Sequence, residues 1–140
     1  MMEEGLMKKI RVLMIKPMER PKVGYVPCNA KLLNKVFNYD DYTNNAEIMI
    51  MEKNVGILRN KNGAILDLKG NRKVSGEIIA GTFFVVGIDD NGFISSLSES
   101  DILKYTDRFR NIEIYTNRET LKSYWNKFEE SLNLMEEEFV

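Results

Sequence analysis

A chain of 140 residues, 44% hydrophobic and 29% charged, fits one domain and can bury roughly two-thirds of the surface that its unfolded form exposes. These values exclude extended disorder, the single Cys28 excludes an internal disulfide framework, and a net charge of −1 excludes the strong negative excess of a DNA mimic. The charge is nevertheless segregated: residues 8–35 carry eight Lys or Arg against Glu19, residues 53–73 carry six against Asp67, and residues 113–140 carry seven Glu against Arg118, Lys122 and Lys127.

Ile10 to Ile15 has the length and branching of a strand stopped by Pro17. Pro17 and Pro21 fence off a turn into a short edge strand, Lys22 to Val26, paired with the first as a hairpin. Asn29 is the expected cap of a helix from Ala30 to Phe37, whose Leu32, Leu33, Val36 and Phe37 share one stripe. A polar loop from Asn38 to Asn45 leads to a third strand, Ala46 to Met51, and Asn62-Gly63 is read as a hairpin turn between Val55–Leu58 and Ala64–Leu68. Lys69 to Lys73 is read as a basic, turn-rich link. The apolar, β-branched run from Ile78 to Ile88 is too short to span a membrane and reads as one buried central strand. Asp90-Asn91-Gly92 turns it into a return strand, Phe93 to Leu97. Ser98, with Asp101 three residues on and Leu97/Ile102 as a staple, caps a helix to about Arg110.

Ile112 to Tyr115 is a further strand or an extended connection. Thr116 and Glu119 then form a capping box, and Leu121, Trp125, Phe128, Leu132, Met135 and Phe139 recur at spacings of four and three along a helix over 117–138. That stripe either packs on the core or forms an interface with a partner or a second copy; less than three heptads do not decide between them. The fold expected is α+β: one domain with a mostly antiparallel sheet, helices on one face, the other face partly open, and a long C-terminal helix. The core comprises residues 1–112 and the helical extension residues 113–140.

The chemistry is read largely from what is missing. There is no histidine, which removes the usual general base and zinc ligand, and no cysteine cluster or glycine-rich phosphate loop. Asp89-Asp90-Asn91-Gly92 resembles part of a calcium loop but lacks its later Glu and fits a hairpin better. Asp40 and Asp41 lack the convergence that a metal or acid/base site needs. No enzyme activity, metal or cofactor is therefore expected, and with no leader or long apolar segment visible the expected compartment is a reducing cytoplasm without membrane contact.

Three binding readings remain open. A protein partner would meet Trp125, Phe128 and Leu132 on the helix, with Tyr39 and Tyr42 on the loop, and the same helix could form a homodimer. Nucleic acid would meet Arg59, Lys61, Lys69, Arg72 and Lys73. A small ligand such as a nucleotide would occupy a pocket beneath the Asn38 to Asn45 loop.

The string Ile78-Ile-Ala-Gly-Thr-Phe-Phe-Val-Val-Gly87, the aspartates after it, Phe93 to Leu97, and the Ser98 helix with Tyr105 and Phe109 carry a resemblance. Together with Ile10 to Pro17, Leu32 to Phe37 and Val55 to Arg59, they resemble a family of small bacterial proteins of unknown function, borne by phages, plasmids and other mobile elements, over roughly residues 8 to 110. The Asn38 to Asn45 region, where a glycine-containing turn is expected, and the long C-terminal helix depart from that family's pattern. The resemblance implies a mobile-element accessory protein with no known catalytic residues, of the kind that occupies a host protein's surface. A component of bacterial defence, such as a CRISPR nuclease, is the expected class of target.

Overall fold

The computed structural model describes residues 8–28 and 46–139. The helix expected at 30–37 and the loop with Tyr39 and Tyr42 lie outside the described residues. Among these, the strands are β1 (Lys9–Ile15), β2 (Lys22–Pro27), β3 (Ala46–Glu52), β4 (Val55–Asn60), β5 (Gly70–Val74), β6 (Glu77–Ala80), β7 (Phe83–Ile88) and β8 (Ile94–Ser95). The helices are α1 (Glu99–Arg108) and α2 (Asn117–Phe139).

The main sheet runs β2-β1-β7-β4-β3, all antiparallel, with β8 added to β7. Alternating side chains build two cores, as a pleated strand requires. Leu13, Ile15, Val55, Ile57, Phe83 and Val85 point to one face and are buried with Leu97, Tyr105 and Phe109 of the α1 region. Ile10, Val12, Leu58, Phe84 and Val86 point to the other and are buried as well. The centre of the second face is thus buried too, while Met14, Ala46, Ile48, Ile88 and Ile94 around it are only partly buried. Ser98 caps α1 as expected, its Oγ accepting from the Asp101 N–H at 3.2 Å. Phe83 meets Phe109 edge-on at 5.3 Å, fixing how the helix end sits on the sheet.

Three strand assignments change. The run from Ile78 to Ile88 is not one strand: Gly81, at φ +84°, breaks it into β6 and β7, which belong to different sheets. Such a backbone is cheap only without a Cβ, and the Gly81 N–H is satisfied by Lys69 O at 2.7 Å. Val55 to Asn60 pairs backward with β3 through Lys53-Asn54, with Asn54 at φ +72°, whereas Ala64 to Leu68 forms turns. Gly63 of the expected Asn62-Gly63 hairpin instead packs against Ala80, where a Cβ would collide with the Ala80 carbonyl. The return strand shortens to Ile94–Ser95; beyond it Leu97 N–H donates to Arg11 O at 2.9 Å. Ile112 to Tyr115 is an extended connection.

Lys69 to Lys73 is not a surface link. Gly70–Val74 is a strand that pairs with β6 across a two-residue Ser75-Gly76 turn, both at positive φ. Arg72 and Asn71 are fully buried. The Arg72 guanidinium donates to Phe109 O at the end of α1 (2.9 and 3.1 Å), to Glu19 O (2.7 Å) and to Asn71 Oδ1 (2.9 Å). Asn71 Nδ2 donates to Ile15 O and Gly81 O, both at 2.9 Å. The pair clamps the small β5–β6 sheet to the helix end and to β1, with the guanidinium where the helix dipole is negative. Burial lowers the Arg72 pKa from its usual value, while the charge of Glu113 raises it.

Candidate functional site

α2 opens on the expected capping box. Thr116 N–H donates to Glu119 Oε1 (3.0 Å) and Glu119 N–H to Thr116 Oγ1 (3.1 Å), and the Thr116 N–H, then its hydroxyl, holds the Glu119 carboxyl below its usual pKa. The helix docks on β6 through small polar residues. Thr120 is buried against Gly70, and Ser123 Oγ accepts from the Ile78 N–H at 2.8 Å. Before the helix, the Tyr115 hydroxyl, hydrogen-bonded to Glu113, is pushed up to about 12, first by burial and then by that carboxylate.

With the docked face so occupied, the apolar stripe falls on the flank. Leu121, Trp125, Phe128 and Leu132 are 39%, 46%, 46% and 43% exposed. Tyr124, Trp125 and Phe128 form an edge-to-face ladder, with centroids 5.2 and 5.6 Å apart, which limits their side-chain freedom before any partner arrives. Leu134, 63% exposed, adds apolar surface that the four-three spacing did not include. The side chains of Met135 and Phe139 lie outside the described residues.

Beside the stripe is a groove of about 520 Å³, walled by Tyr124, Phe128 and Leu134 on α2 and floored by Glu47, Arg59 and Glu77. Arg59 is held by the Glu77 carboxylate and by Glu47 Oε1 at 3.2 Å. It ties the main sheet to the small one, and its charge is already matched. Spacing along the chain could not reveal this, because Arg59 lies on β4 and its two partners on β3 and β6.

The five cations considered for nucleic acid are thus not brought together as one patch. Arg72 is in the core, Arg59 is ion-paired, and Lys69 Nζ donates to Tyr115 O at 3.1 Å. Lys61 and Lys73 are exposed but line different hollows beside α2. Asp89 behaves as a turn residue, its Oδ1 accepting from Asn91 N–H and Phe93 N–H, both at 2.9 Å. Among the described residues, no group of three His, Cys, Asp or Glu could hold a metal ion, and no helix is long and apolar enough to cross a membrane.

Sheet, covering helix and projecting C-terminal helix define a small α+β domain that carries an exposed aromatic stripe. Its residues 10–110 match the domain of unknown function DUF3846, and the chain belongs to that family. No curated protein and no solved structure matches it. α2 and its stripe lie beyond the matched residues.

Proposed function

We propose that this protein is a non-catalytic accessory factor of a phage or other mobile element, which binds and inhibits a host macromolecule in the bacterial cytoplasm through the α2 stripe. The observation that carries the reading is the half-exposure of Leu121, Trp125, Phe128 and Leu132 on a helix that has docked by another face. Apolar surface left in water is worth about 25 cal/mol per Å² once covered, and Trp and other aromatic side chains are the usual anchors of protein interfaces. The resemblance to mobile-element proteins directs attention to host defence, with CRISPR nucleases as the first target class. The nucleic-acid reading draws less support, because two of its five cations have carboxylate or buried carbonyl partners and a third bonds a carbonyl.

Tagged wild type should capture a host protein from bacterial lysate, and Trp125→Ala combined with Phe128→Ala should lose it while Lys61→Ala keeps it. Identical recovery with all three proteins would overturn the proposal. Binding to nucleic acid that weakens steeply with salt would favour the cationic alternative instead, because phosphate contacts release counterions.

A further inference from the structure

We infer that in the free protein the α2 stripe is occupied by a second copy of this chain, the two helices packed antiparallel. The inference rests on reading the stripe as a binding surface, and it names the first occupant of that surface. Its basis is the charge order along α2. Arg118, Lys122 and Lys127 outnumber Glu119 in the first half, Glu129 and Glu130 follow, and the helix closes on Glu136-Glu137-Glu138 with no basic residue in its last turn. A parallel pair would set acidic end beside acidic end. An antiparallel pair sets each acidic half beside a basic half and opposes the two helix dipoles.

The stripe has a register that suits this pairing. With the two-fold axis passing between residues 126 and 127, Trp125 lies opposite Phe128 of the second copy and Leu121 opposite its Leu132. The same operation generates both layers again, so the half-exposed side chains fill four layers with none unmatched. In that register Lys122, on the solvent edge of the stripe, falls beside Glu129 of the second copy, twice. Both residues are exposed, and neither forms an ion pair among the described residues, whereas Lys127 is already 3.7 Å from Glu130. Lys122 and Glu129 are two turns apart on one helix and do not meet within a chain. A host partner using the same stripe must displace the second copy.

Sedimentation equilibrium of the purified full chain tests the pairing without any host component. Wild type should be a dimer, and Lys122→Glu or Glu129→Lys alone should weaken it by roughly tenfold, because each change turns two attractive contacts into repulsive ones. The double swap, Lys122→Glu with Glu129→Lys, should restore it. Circular dichroism confirms that each variant stays folded. A monomer at every concentration, or a dimer indifferent to the swap, overturns the inference and leaves the host-binding proposal to its own capture experiment. A dimer with swap rescue and no captured host protein sinks that proposal alone.

Discussion

Replacing Arg72 by Met keeps most of the side-chain volume and removes the clamp. The guanidinium makes four hydrogen bonds to three acceptors, namely Phe109 O, Glu19 O and Asn71 Oδ1. Without them a buried amide oxygen and the carbonyl closing α1 lose their donor, in a site with no exposure to water at residue 72. Orphaning a buried polar group costs about 1–3 kcal/mol, and breaking a buried charged cluster by removing one partner about 3–5 kcal/mol. The desolvation relieved with the charge offsets part of this, so a loss of about 3–4 kcal/mol is expected from a total of about 5–15 kcal/mol. For a domain of this size that is roughly 10–15 °C in melting temperature. Thermal and urea unfolding followed by circular dichroism measures it. Hydrogen exchange should show protection lost first in β5 and β6, which the clamp ties down. A variant within about 1 kcal/mol of wild type, with β5–β6 protection intact, would show that the clamp is incidental to stability.

Two further perturbations address α2 and its approach. Gly70→Ala would place a Cβ inside the contact distance of Thr120 Oγ1 and 3.0 Å from the Tyr115 Cβ, costing about 1–3 kcal/mol. Limited proteolysis should show α2 cut faster with the main sheet still resistant, and an unchanged cleavage rate would contradict the docking described. Tyr115 ionises at about 10 when unfolded and only near 12 when folded, so its contribution to stability is complete below pH 10 and is lost as the pH rises towards 12. Tyr115→Phe should therefore lose stability less steeply across that interval, and superimposable stability–pH curves would rule the coupling out.

The features legible in the sequence are those whose partners lie a few residues away. The Ser98 cap, the Thr116/Glu119 box, the Asp89 to Gly92 turn and the β1–β2 hairpin bounded by two prolines are all of this kind. The misread features share a different property. Asn54 resembles any loop asparagine until β3 and β4 are seen to pair across it, and the Ser75-Gly76 turn follows residues that read as a basic loop. Arg72 reads as a surface cation, since nothing near it in sequence announces acceptors 37 and 53 residues away.

From the residues alone came an α+β chain, most of its strands, both described helices and an apolar stripe at helical spacing. Which flank of α2 meets the core was a matter for the folded molecule. The helix docks by Thr120 and Ser123, because Gly70 leaves room for the one and the N–H of the buried Ile78 requires an acceptor from the other. An unpaired strand edge and the absence of a side chain thus outweighed the pull of the aromatic stripe and left it facing outward. Periodicity along one segment cannot reveal that outcome, since it depends on what the opposing surface needs.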